Sequence, residues 1–220
     1  MKKKLIQRYN AAERINHWIV AISFVLLAIS GLAFFYPAFF WLSNVFGTPQ
    51  LARIIHPFVG VLMFVAFLRQ FFRYWHHNIL NKEDVKWMVS VGKILKGEEV
   101  GDTGKYNAGQ KMMFWVMCAC MLTMLITGIM AWRPYFAQYF PIPLIRVALL
   151  LHAASALALI ASIIVHVYAA IWVRGTINAM VEGTVTESWA KKHHPRWYRD
   201  VTGKDSGHTP SKDDDAADKK

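Results

Sequence analysis

Four stretches of this chain are long and apolar enough to cross a lipid bilayer, and little else about the sequence narrows its fold so far. A crossing helix needs about 20 apolar residues at a rise of about 1.5 Å each. Such runs lie at about 15–36, 54–74, 112–132 and 147–173, the third stopped by Arg133-Pro134. Within hydrocarbon every backbone N–H and C=O has to find its partner inside the segment, so these runs predict helices. Trp18, Tyr36, Trp41, Trp75, Trp132, Tyr135 and Trp172 stand near their ends, where headgroups favour amphipathic rings. The expected architecture is an all-α integral membrane protein: one domain over 1–200 built as a four-helix bundle, followed by a tail at 201–220.

The basic residues orient that bundle. Five Lys or Arg precede the first run, eight lie from Arg69 to Lys111 and nine follow from Arg174, against only Arg53, Arg133 and Arg146 elsewhere. This asymmetry marks both termini and the long middle connection as cytoplasmic. It also accounts for the net charge of +11: the cations flank spans, where they face anionic lipid rather than nucleic acid. Val85, Met88, Val89, Gly92 and Leu95 recur at helical spacing opposite Lys86, Lys93 and Lys96, predicting a surface helix at about 82–96. The tail from Val201 is almost free of apolar residues, which predicts disorder. The N-terminal apolar run is too long for a signal peptide and is expected to be retained. Cys118 and Cys120 form a lone C-x-C in an apolar run and read as packed thiols.

Nine histidines are present. His76, His77, His193, His194 and His208 fall in basic segments and read as solvated. His17, His56, His152 and His166 lie in or beside the spans, where a polar side chain needs a partner. His152 and His166 are fourteen residues apart, four helical turns less about 40°, so they share a face about 21 Å apart along the axis. Ala153, Ala154, Ser155, Ala156, Ala158, Ala161 and Ser162 keep the surface between them small, allowing close approach. By topology His56 lies at the depth of His152 on the outer side, and His17 at the depth of His166 on the inner side. Two imidazoles at each of two depths are the ligand set of two b-type haems, and such iron carries electrons because no axial position is open. Gly60 lies one turn beyond His56 and Gly31 fourteen residues beyond His17, level with the outer pair. Arg53, Arg69 and Arg73 stand where propionates need cations. Any one of the histidines could instead be a packing residue, and a proton relay could use them without matched pairs.

Several segments resemble the gamma subunit of bacterial respiratory formate dehydrogenase, a membrane-bound dihaem cytochrome b. They are Arg14-Ile-Asn-His17-Trp18, the run from Gly47 to Gly60 containing His56-Pro57, Phe72-Arg-Tyr-Trp-His-His77, Gly101-Asp-Thr-Gly104 to Gly109-Gln110-Lys111, Trp132-Arg-Pro-Tyr-Phe136 and Ala190-Lys-Lys-His-His-Pro-Arg-Trp-Tyr198. The resemblance runs from about Leu5 to Arg199. It implies haem ligation by His17, His56, His152 and His166, with no catalytic residue in this chain. It implies a quinone pocket of Asn107, Gly109, Gln110 and His166 for menaquinone or ubiquinone. The implied partners are an iron–sulfur beta subunit and a molybdenum- or tungsten-containing alpha subunit that oxidises formate outside the bacterial inner membrane, with room for a higher-order oligomer of the complex. Electrons would pass from the outer haem to the inner one and on to quinone in anaerobic respiration, adding to the proton motive force. Asn107, Gln110 and Lys111 supply hydrogen-bond donors at the membrane boundary, although Gly109 could equally be a helix-start glycine. The cytochrome b subunit of a membrane-bound nickel–iron hydrogenase has the same logic, and a non-redox membrane anchor is the alternative outside electron transfer.

Overall fold

Residues 4–89, 92 and 102–206 are described by the computed structural model of this chain. Four of its helices are long and apolar enough to span a membrane. They are α1 (Ala11–Phe35), α2 (Pro49–Tyr74), α4 (Ala108–Ala131) and α5 (Ile142–Trp172). Each occupies an apolar run of the sequence and most extend past it, because helical hydrogen bonding continues into the headgroup zone. At α2 the cause is local. The Thr48 hydroxyl accepts from Leu51 N at 3.1 Å and Pro49 occupies the first helical position, a cap followed by a residue already set to helical φ. A 3-10 helix over Pro37–Phe46 joins α1 to α2.

The chain divides into two compact units. The first described here, Ala12–Arg73 with Trp115–Ala169, is the bundle. Met63, Phe67, Met121 and Leu159 form its buried core, with Phe24 and Leu27 of α1 and Ile163 of α5 packed against them. Cys118 and Cys120 are free thiols beside that core. The outward faces are apolar as well: Leu150 is 70% exposed and Ile164 64%, which is stable only where lipid is the solvent. Small polar groups line the inside of α1 at seven-residue steps, with Asn16, Ser23 and Ser30 all buried. Asn16 Nδ2 donates to Ala66 O at 2.9 Å, tying α1 to α2 by a bond that hydrocarbon cannot replace.

The second unit comprises Met1–Ala11, Tyr74–Phe114 and Ala170–Lys220. Its elements are β1 (Leu5–Gln7), α3 (Lys82–Val89), α6 (Thr176–Val181), β2 (Thr184–Thr186), α7 (Glu187–His193) and α8 (Pro195–Thr202). β1 and β2 pair antiparallel with Ile6 opposite Val185. Gly175 opens α6 with φ +93, and a Cβ there would lie 3.2 Å from the Trp189 ring, so only glycine fits that turn. One expected boundary shifts in this unit. The tail does not begin at Val201: that residue and Thr202 complete α8, which closes at Gly203 in the left-handed conformation. Of the expected surface helix, α3 is present, whereas 90–91 and 93–96 lie outside the described residues, as do 207–220.

Candidate haem-binding site

The bundle repeats with a period of seven residues, and the histidines follow it. On α5 the sequence His152, Leu159, His166 takes one step to the core and another beyond it. On α1 the steps are His17, Phe24, Gly31; on α2, His56 to Met63; on α4, Met121 to Gly128. Seven residues are about two helical turns, or about 10.5 Å. A layer of apolar side chains, Phe24, Met63, Met121 and Leu159, therefore lies between two layers that carry imidazoles.

One of these layers brings His56 and His152 together, their ring centroids 6.3 Å apart and their planes at 57°. A metal bound between two imidazoles sits about 2 Å from each nitrogen. A five-membered ring with bonds of about 1.33 Å places its nitrogen about 1.1 Å from its centre. Two such ligands on one iron have centroids about 6.2 Å apart, which this pair matches. Among the described residues no group of three or more His, Cys, Asp or Glu side chains converges on a bare-ion site. A pair suffices when the metal brings four equatorial nitrogens of its own, as in haem.

Both imidazoles of this pair are held from behind by a hydroxyl. Ser30 Oγ lies 2.7 Å from His56 Nδ1 and donates to Leu26 O at 2.9 Å. Thr127 Oγ1 lies 3.0 Å from His152 Nδ1 and donates to Thr123 O at 2.6 Å. Helical Ser and Thr commonly bond back to the carbonyl four residues earlier. With its hydrogen so placed, each hydroxyl offers the histidine a lone pair, which Nδ1–H can fill. Nε2 is then left with the lone pair that a metal needs. A glycine follows each hydroxyl. A Cβ on Gly31 would lie 3.7 Å from His56 Cε1, and one on Gly128 only 3.3 Å from His152 Cε1.

The expected second pair, His17 and His166, lies in the same unit, His17 half-buried and His166 exposed. His17 stands edge-on to Trp18, centroids 5.5 Å apart. Of the arginines set aside for propionates, Arg73 is instead paired with Glu13 at 2.9 Å, while Arg53 and Arg69 are exposed. The sequence alone does not single out Ser30, Thr127 and Gly128. Their signal was two hydroxyl–glycine dipeptides inside apolar runs, each a whole number of heptads from a core or histidine position.

The expected quinone residues fall in different units, His166 in the bundle and the others in the second unit. Asn107 and Gln110 form a reciprocal cap at the start of α4: Gln110 N donates to Asn107 Oδ1 at 2.9 Å and Asn107 N to Gln110 Oε1 at 3.0 Å. A Cβ on Gly109 would meet Trp87 of α3 at 3.1 Å. Lys111 Nζ is buried against Asp84 at 2.7 Å and also donates to Ile79 O. These contacts account for the local sequence as a helix start.

His194 corrects another expectation, since it is buried rather than solvated, at 2% exposure. Its Nδ1 lies 2.8 Å from Gly104 O and its Nε2 3.2 Å from Arg8 Nη2. Burial and the neighbouring Arg8 cation push it down to about 3, so it is neutral. Arg8, which in sequence was one more cation, is itself buried between Trp189 and Trp197, where ring faces replace part of its hydration.

Residues 8–183 match the family described as prokaryotic cytochrome b561. The chain belongs to that family. This cytochrome b561 is similar to the formate dehydrogenase cytochrome b556(fdo) subunit of Escherichia coli K12, with 59% identity over 91% of this chain and 95% of the relative. It is 52% identical to the nitrate-inducible cytochrome b556(Fdn) subunit of the same organism, over 91% and 93% of the two chains. It is 53% identical to the formate dehydrogenase cytochrome b556 subunit of Haemophilus influenzae, over 89% and 83%. The family carries haem b, and four spanning helices make this a multi-pass membrane protein.

Proposed function

We propose that this chain is the membrane-embedded cytochrome b subunit of a formate dehydrogenase, passing electrons from an iron–sulfur partner outside the membrane to quinone near the cytoplasmic face. The observation that carries the reading is the His56–His152 pair at the spacing of two ligands on one iron; His166 lies two heptads from His152 on the same helix. Haem bound at the two pairs supplies one-electron carriers at two depths. The chain's own residues do the rest. His56 and His152 ligate on the outer side and His17 and His166 on the inner side, given the orientation implied by the basic loops. Formate is oxidised in a molybdenum- or tungsten-containing partner. Relatives named as formate dehydrogenase subunits over nine-tenths of the chain support both partners and the bacterial inner membrane as location.

For quinone, the amide groups of Asn107 and Gln110 are the proposed donors. Their carbonyl oxygens are engaged in the cap, which leaves their N–H groups to reach a quinone carbonyl. The expected spans hold no carboxylate, so protons for quinol are drawn from cytoplasmic water, and the reaction adds to the proton motive force. The test is to reduce native membranes with formate and then with hydrogen while recording the b-haem band. Reduction by formate supports the assignment. Reduction by hydrogen alone would transfer the chain to a hydrogenase, and a purified complex without b haem would refute an electron-transfer role.

A further inference from the structure

The two outer histidines differ in helix and direction, yet each has a hydroxyl behind it, and His152 has the Met124 carbonyl within hydrogen-bonding reach as well. On α1 the support is Ser30-Gly31 behind His56, and on α4 it is Thr127-Gly128 behind His152. In both, the hydroxyl hydrogen is occupied by a carbonyl of its own helix, at 2.9 Å and 2.6 Å. Both hydroxyl residues are buried, Ser30 at 1% and Thr127 at 5% exposure. An oxygen so fixed accepts a hydrogen bond from Nδ1–H in a region where water does not compete. We propose that Ser30 and Thr127 are paired positioning residues that hold both outer imidazoles in the metal-binding tautomer and lower the potential of the outer redox centre. The inference rests on the haem ligation proposed above and adds to it a chemical consequence.

That consequence follows from ligand basicity. When Nδ1–H donates to a good acceptor, the ring gains imidazolate character and Nε2 becomes a stronger donor. A stronger donor stabilises ferric iron over ferrous, so the midpoint potential falls. Two ligands acted on together lower it further than one. A lowered outer potential favours release of the electron inward, which is the direction the proposed function requires. The glycines serve the same geometry. A side chain at Gly128 would press on the His152 ring and lengthen the bond that Thr127 accepts.

The experiment uses the intact complex with Ser30→Ala, Thr127→Val and the double variant, each followed by optical redox titration and low-temperature EPR of the ferric state. His56→Ala identifies the outer component as the one it removes. The expected result is an upward shift of the outer midpoint in each single variant, a larger shift in the double, a changed outer EPR signal, and an inner midpoint that stays in place. Ser30→Thr and Thr127→Ser, which keep the hydroxyl, should restore the parent potential. Haem loss in the Ala and Val variants, with retention in the hydroxyl-keeping pair, would equally support the hydroxyls as what holds the ligands. An unmoved outer midpoint in a haem-loaded double variant overturns the proposal while leaving the ligation intact. So does haem loss in the hydroxyl-keeping pair, which would place the requirement in shape. Absence of b haem from the unaltered complex would remove the ligation and this inference together.

Discussion

Lowering the pH from 7 to 5 should loosen the cluster around His194, and the size of the effect can be worked from its contacts. The ring is 2% exposed, lies 5.1 Å from the Trp189 ring and accepts from Arg8. A proton on Nε2 would take away the lone pair that Arg8 uses and set two cations together. Hence the folded value of about 3, against 6.5 for a free imidazole. Between those limits the unfolded segment binds one more proton than the folded one, so stability is full above 6.5 and is lost as pH falls. The limiting slope is about 1.4 kcal/mol per pH unit, or about 2 kcal/mol from pH 7 to 5, which raises the open population about 30-fold. His193 is also pushed down by burial, with the nearby Lys192 and Arg8 charges adding to it, and acts in the same direction. Glu187, held below the usual carboxylate range by the Tyr198 hydroxyl, titrates below this window. Hydrogen exchange of amides in α7 and α8, corrected for intrinsic rates, measures the opening. His194→Gln should remove more than half of the slope. An undiminished slope in that variant, or tighter protection at pH 5, would refute the account.

Three further outcomes follow from particular contacts. Lys111→Met should destabilise the second unit by about 3–5 kcal/mol, because it strands the buried Asp84 carboxylate; Asp84→Leu with Lys111→Met should cost less than the sum of the singles in thermal unfolding. Gly128→Ala should lower the haem content measured as pyridine haemochrome per complex, while Gly31→Ala should leave it unchanged, since the added carbons lie 3.3 Å and 3.7 Å from their histidines. Leu159→Ala should lower thermal stability by about 2 kcal/mol, the low end for a buried leucine, because in lipid the lost packing counts and the transfer share largely does not.

What could be read from the sequence divides along the two units. In the bundle, lipid imposes one rule on every residue, so apolar length alone announces the helices and any imidazole within a span stands out. His152 and His166 are visible as a pair because fourteen residues return to one helix face. Ser30 and Thr127 do not stand out, because a hydroxyl satisfied by its own helix is ordinary in a span; its second role appears only when another helix brings an imidazole to it. In the second unit the determining contacts are remote in sequence. Three-residue strands show no period, yet Leu5 pairs with Thr186. Arg8 and His194 read as surface charge and solvated ring until Trp189 and Trp197 close over them.

The seven-residue step explains why the four histidines are compatible with one bundle. Had His152 and His166 been ten or twelve residues apart, their rings would point to different sides and one could not face a partner helix inside the core. With fourteen, the midpoint Leu159 must also face inward, and it is buried at 4% exposure. It meets Met63 and Met121, each one step from an outer-layer position. The same repeat that aligns the ligands therefore inserts an apolar layer between them. That layer is built of Phe, Met, Leu and Ile side chains with the two thiols at its margin, and the buried Ser23 hydroxyl stands beside it on α1. On the proposed reading, this layer separates the two ligand layers by one heptad step on each side, and it follows from where the sequence puts Leu159 as much as from where it puts its histidines.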